Sequence, residues 1–154
     1  MFEFHAGLVC NGEILFTRHF GHQTLDRILF EIRRLSALEP GHATLPEIVD
    51  LSPVERSDLD FAKMQAIVRL TAETARPGPD GKKIAVLAPL DVSYGLTRIH
   101  ATLLEMSGSN VTSAVFRTEA EVLDWLGRPE RAFADLEGID RVAPLPDAGE
   151  CCNL

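Results

Sequence analysis

Tyr94 and Arg98 stand four residues apart in the run Asp91-Val-Ser-Tyr-Gly-Leu-Thr-Arg98, a spacing that sets both on one helix face. Near a helix amino end such a pair suits an anionic headgroup or a partner's carboxylate. The guanidinium binds these groups bidentately, and the helix end adds N–H donors. The plainer reading is that Tyr94 packs against its neighbours while Arg98 stays solvated. Gly95 costs about 1 kcal/mol in helix propensity relative to alanine, which suggests that something approaches closely there, if only a neighbouring backbone. Asp91 or Ser93 is placed to cap this helix.

A second polar cluster follows the apolar run Glu47-Ile-Val, with Asp50, Ser57, Asp58 and Asp60 spread over eleven residues. Asp50 is either a site carboxylate or an acceptor that orients the loop, and the turn-forming habit of aspartate favours the second. Ser57 is expected to cap a helix, with Asp60 at the third helical position as a partial capping box. Both clusters fall where a strand ends and a helix begins. Open α/β sheets place their ligand and partner sites at such strand carboxyl ends.

The remaining chemistry-bearing residues are scattered. His19 and His22 lie three apart across an expected strand end at Gly21, and no third ligand is near enough in sequence for a metal site. His100 reads as a boundary residue beside a buried helix stripe, and Trp125 as core packing. The sequence has no Gly-x-x-x-x-Gly-Lys loop, Gly-x-Gly-x-x-Gly or Gly-x-Ser-x-Gly elbow, so the expectation is a non-enzyme without cofactor or metal.

The elements that must hold these residues are legible from hydrophobic spacing. Residues 1–20 alternate as a hairpin about Asn11-Gly12, the pair a type I′ turn favours. Leu25, Ile28, Leu29, Ile32, Leu35 and Leu38 recur every three or four residues, predicting a helix over 24–38 that stops at Glu39-Pro40-Gly41. A short strand is expected at 47–51 and a helix from about Ser57, with Leu59, Met64, Ile67, Val68 and Thr71 buried. The loop Pro77-Gly78-Pro79-Asp80-Gly81 precedes a continuous apolar strand at 83–88, of the kind parallel sheets bury on both faces. A helix carrying Leu96, Ile99, Leu103 and Met106 leads to a strand at 111–116. Thr118-Glu-Ala-Glu121 then opens a short helix as a capping box, ended by Gly127. The order ββαβαβαβα implies a mostly parallel α/β sheet with one antiparallel strand from the hairpin. Residues 128–154 lack periodicity and read as a loosely docked or disordered extension to a domain at 1–127.

Composition narrows the class. With 154 residues, 45% of them hydrophobic, the chain can bury one real core. A formal charge of −8 opposes general nucleic-acid binding, which needs a basic face. Apolar runs are too short to span a bilayer, and the start Met1-Phe-Glu-Phe-His lacks the n- and h-regions of a signal peptide. A cytoplasmic protein is expected. Cys151-Cys152-Asn-Leu fits a prenylation pattern poorly because Asn occupies an aliphatic position, and adjacent thiols lack the spacing of a zinc site.

The element order and the joint Val49-Asp-Leu-Ser-Pro-Val54 resemble the STAS domain, the SpoIIAA-like fold shared with the lipid-binding SEC14 domain. The runs Ala88-Pro-Leu-Asp-Val-Ser-Tyr-Gly-Leu-Thr-Arg98 and Val115-Phe-Arg-Thr-Glu-Ala-Glu-Val-Leu-Asp-Trp-Leu126 look like a subgroup of small stand-alone bacterial members. The resemblance spans about residues 1 to 127 and implies a SpoIIAA-like sheet. Antagonist members carry an Asp-Ser-Ser-Gly stretch with a phosphorylated serine. Here that stretch falls on Asp58-Leu59-Asp60-Phe61, so Asp60 replaces the phosphorylatable serine and the usual switch cannot operate. It places a fixed charge near a helix amino end, with one charge where a phosphate carries nearly two.

Two functional expectations follow. The first is a non-catalytic regulatory module that binds a protein partner through Asp50, Ser57, Asp58, Asp60, Asp91, Ser93, Tyr94 and Arg98. The second, from the SEC14 side of the resemblance, is a pocket for a lipid or small amphiphile between helices and sheet. A homodimer through the second hairpin strand or an uncovered sheet face is also expected, because an exposed apolar face needs cover.

Overall fold

The structure is a computed structural model that describes residues 3–10, 12–38 and 40–128. Its elements are β1 (Glu3–Val9), β2 (Ile14–Gln23), α1 (Leu25–Ser36), α2 (Pro40–Ala43), β3 (Glu47–Asp50), β4 (Val54–Ser57), α3 (Phe61–Thr74), β5 (Lys82–Leu87), α4 (Asp91–Met106), β6 (Val111–Phe116) and α5 (Glu119–Leu126). Strands run in the order β1-β2-β3-β5-β6, with β4 also on β2. The β1–β2 pair is antiparallel and the other pairings are parallel. This is the mostly parallel, mixed α/β sheet with one antiparallel hairpin pair that the sequence led us to expect.

The hairpin closes about Asn11-Gly12, with Cys10 before the pair at a positive φ of 53°. Val9 sits opposite Ile14, Glu13 N–H donates to the Cys10 carbonyl at 3.2 Å, and Gly12 takes a positive φ of 80°. Asn11 itself lies outside the described residues, as does the expected extension beyond Arg128, with Cys151 and Cys152.

Alternation along β2 decides which side chain meets which layer. Ile14 and Phe16 join Ile48, Ala85 and Leu87 beneath Val122 and Leu123 of α5. Leu15, Thr17 and His19 alternate with them on the opposite face. On that face Ile84, Val86 and Val111 pack with Val68 of α3 and Leu104 of α4. The helices α1, α3 and α4 lie side by side over it, and Ile28, Met64 and Ile67 fill the joints between them.

Three expectations need correction. The joint after Asp50 is not a strand-to-helix loop but a break within a strand. The chain steps out at Leu51–Pro53 and returns as β4, which continues along β2 beyond β3. At the step β2 shifts register between Gly21 and His22, with Gly21 at φ 74°, so the strand is bulged at Gly21 and does not end there. Val54-Glu-Arg-Ser57 has one apolar residue in four, so its sequence carries no strand signal. Second, the following helix starts at Phe61. Its cap is Asp60, whose Oδ1 accepts from Lys63 N–H at 2.8 Å. Ser57 instead donates to Gln23 Oε1 (3.2 Å) and accepts from Leu59 N–H (3.3 Å). Third, neither Asp91 nor Ser93 caps α4: Leu90 holds the cap position with no side-chain bond, and Asp91 is the first helical residue.

Other signals read as expected. Thr118 caps α5 through Glu121 N–H and donates back to the Glu121 carboxylate at 2.8 Å, and Gly127 ends that helix at φ 67°. Gly81 serves a need that its sequence context does not reveal. Its φ is 82°, and a Cβ there would stand 2.9 Å from the Asn110 carbonyl oxygen. No described helix is long and apolar enough to cross a membrane.

Candidate functional site: a half-open cavity with a charged lining

Between the sheet and the layer α1–α3–α4 lies a cavity of about 150 Å³. Ile28, Met64, Ile67, Ile84, Val86 and Leu96 give it an apolar body. Four ionisable residues also line it and are nearly sealed from solvent: His19, Glu31, Glu47 and Lys82. Glu47 and Lys82 open β3 and β5 at their amino ends, so the strand pleat turns both toward the helices. His19 reaches the same face from β2, and Glu31 descends from α1 one turn after Ile28.

These charges are arranged as two pairs. Lys82 Nζ stands 3.3 Å from Glu47 Oε2 and donates to the Ala43 carbonyl at 2.9 Å. His19 Nε2 stands 3.0 Å from Glu31 Oε1, close enough for an ion pair although it misses hydrogen-bond geometry. Burial alone would lower the His19 pKa. Attraction from Glu31, with further help from Glu47 and Asp50, outweighs it and raises the value above the usual histidine range. Burial pushes Glu47 up, and Lys82 offsets part of that. Glu31 Oε2 and His19 Nδ1 are buried without a hydrogen-bond partner. Half-buried His100 also lines the cavity, and its partial desolvation moves its pKa down, to about 4.

The rest of the polar lining includes Gln23, Ser36, Ser93 and the hydroxyls of three threonines, Thr71, Thr74 and Thr97. Thr71 donates to the Ile67 carbonyl at 2.9 Å and Thr97 to the Ser93 carbonyl at 2.6 Å. Both therefore present spare lone pairs but no spare proton.

The expected site residues divide into separate groups. Asp50 acts as the loop-orienting acceptor: Oδ2 takes a 2.7 Å bond from Arg18 Nε, and Oδ1 takes bonds from Ser52 N–H and Ser52 Oγ. Asp58 pairs with His22 at 2.7 Å, and the imidazole beside it holds its pKa below the ordinary range. His22 Nδ1 in turn meets Arg56 at 3.0 Å, so His19 and His22 serve different partners. No group of three or more metal-ligating side chains gathers among the described residues.

Tyr94 and Arg98 do share a face, with the guanidinium carbon 6.0 Å from the ring centroid. Sequence reasoning missed the third member, Arg117 after β6. It lies 4.1 Å over the same ring and bonds Asp91 at 2.7 Å. Beside this stack Leu90 and Val92 are 52% and 67% exposed. Ser93 is buried and lines the cavity instead. Gly95 has open space around it, with nothing within 4 Å of a built Cβ, so no neighbour approaches closely there.

No family model matches the sequence, and no curated protein matches it. Among solved structures, the chain is similar to an uncharacterised DUF3478-family protein with a SpoIIAA-like fold from Shewanella loihica PV-4. That protein is 14% identical, with a TM-score of 0.49 over 82% of this chain and 95% of its own. The likeness concerns the fold and extends to no activity or ligand.

Proposed function

We propose that this protein binds a small amphiphile in the cavity between its sheet and the α1–α3–α4 layer. The supporting observation is the composition of the lining: an apolar body meets buried ionisable groups that stay unevenly partnered. A structural core does not need this arrangement. Burying four ionisable side chains is costly even when they are paired, and well-packed apolar residues are often as stable or more so. Ligand sites combine an apolar wall with a few placed polar groups in the same way. A volume near 150 Å³ suits a ring-sized apolar body, since a cavity of about that size accepts benzene. It is small for a two-chain lipid.

The test is a titration with toluene, followed by NMR at the methyl groups of Ile28, Ile67 and Leu96. Shifts centred on these methyls are expected. Shifts confined to surface residues, or none, would overturn the reading.

A second reading rests on a different observation, the exposed Leu90 and Val92 beside the Arg98–Tyr94–Arg117 stack. Exposed apolar side chains next to arginine and tyrosine have the make-up of protein interfaces. On this reading the start of α4 docks a partner protein, in keeping with a regulatory module. Val92→Asp and Arg98→Glu should each release a partner recovered from the native host; retention by both would remove this reading.

A further inference from the structure

We infer that the cavity selects an amphiphile with a hydrogen-bond-donating cationic head, an ammonium on a compact apolar body, received by the free oxygen of Glu31. The inference rests on the cavity-binding reading and adds the chemical class of the ligand.

The argument is an account of donors and acceptors. Glu31 is 4% exposed, lines the cavity, and leaves Oε2 without a hydrogen-bond partner. A carboxylate oxygen only accepts when ionised, and leaving it unmatched where it is buried is unfavourable. Thr71 and Thr97 have spent their protons on helix carbonyls, so they too offer lone pairs alone. The buried cations, by contrast, are engaged. Lys82 is held by Glu47 and the Ala43 carbonyl, and His19 is paired with Glu31.

An anionic head would find buried cationic donors only in the third Lys82 proton and the protonated His19 Nδ1, each beside a carboxylate that already holds that cation. Arg76, the other basic side chain of the lining, is exposed and keeps its hydration. An ammonium has three donors and no acceptor, which complements Glu31 Oε2 and the two threonine oxygens. His19 Nδ1 is the exception among these acceptors. When protonated it presents one N–H, which suits a hydroxyl or water next to the ammonium.

The experiment compares three probes of one shape, benzylamine, toluene and benzoate, at pH 7 by NMR titration of the Ile28, Ile67 and Leu96 methyls. Benzylamine should bind about tenfold or more tighter than toluene, the gain expected from one charge-assisted hydrogen bond, and benzoate should bind more weakly than toluene. In Glu31→Gln the benzylamine advantage should disappear while toluene binding remains. Benzoate binding as tightly as benzylamine, or an advantage that survives Glu31→Gln, would overturn the inference and leave the cavity reading standing. Absence of shifts with all three probes would overturn both. The comparison on the unaltered protein decides the matter even where Glu31→Gln does not fold.

Discussion

Glu31 on α1 and His19 on β2 meet at 3.0 Å with both side chains about 5% exposed, which ties the first helix to the sheet by a buried charge pair. Removing one partner of such a pair strands the other. Glu31→Ala is expected to destabilise the fold by about 3 kcal/mol, and the combined His19→Leu, Glu31→Met change by much less, because apolar replacements of both partners remove the desolvation cost as well. Urea unfolding of the two variants checks this. A double variant no more stable than Glu31→Ala would show that the pair is not the unit of stability.

The two cavity histidines should respond to pH with opposite sign. His19 has its folded pKa raised, so its contribution is full below pH 6.5 and fades as pH rises through the raised value. His100 has its folded pKa lowered to about 4, so the unfolded chain binds the extra proton first and stability falls as pH drops from 6.5 toward 4. His100 is only half-buried, so the acid loss falls short of the roughly 3 kcal/mol that 1.36 kcal/mol per pH unit would give a fully sealed group. Replacing His100 with glutamine should flatten the profile between pH 6.5 and 4 relative to the unaltered chain. Parallel profiles would assign the acid loss to other groups.

The hairpin, the amphipathic helices and the capping box at Thr118 were legible because each rests on a local signal: alternation, three-to-four spacing, or a cap three residues from its partner. The cavity was not, since its charges belong to four separate elements. Glu31 lies within the α1 stripe, three residues after Ile28 and four before Leu35, yet a glutamate there reads as solvent-facing until the fold seals it. Glu47 and Lys82 look like polar ends of apolar strands, and only the parallel register, with Glu47 opposite Ile84, turns them to the helix side. Arg117 illustrates the same gap. It lies 19 residues after Arg98 in the sequence, and only the β5–β6 pairing brings it over Tyr94. The dimer route through the second hairpin strand is narrowed for a similar reason, because β2 is flanked by β1 on one side and by β3 and β4 on the other.

The start of α3 offers a sharp local test. Asp60, and not Ser57, accepts the Lys63 N–H, so Asp60→Ala should cost about 1 kcal/mol as the loss of an N-cap. Ser57→Ala, which removes two long bonds outside the helix, should cost clearly less than Asp60→Ala, about 0.5 kcal/mol. Equal losses in denaturant unfolding would argue that the helix begins earlier than Phe61.

Gly95 provides a prediction of the opposite sign. It sits inside α4, is exposed, and has nothing within 4 Å of where a Cβ would stand. The backbone freedom that glycine gives the unfolded chain is therefore lost on folding without any packing gained in return. Gly95→Ala should stabilise the protein by about 0.5 to 1 kcal/mol, through helix propensity and a less flexible unfolded state. For a domain of this size that corresponds to roughly 1 to 4 °C in Tm, readable by calorimetry. An unchanged or lowered Tm would mean that alanine meets a contact at this position that the isolated chain does not make. Comparing Gly95→Ala with the unaltered chain across a dilution series would then identify self-association: a second copy seated on α4 would make the loss grow with protein concentration.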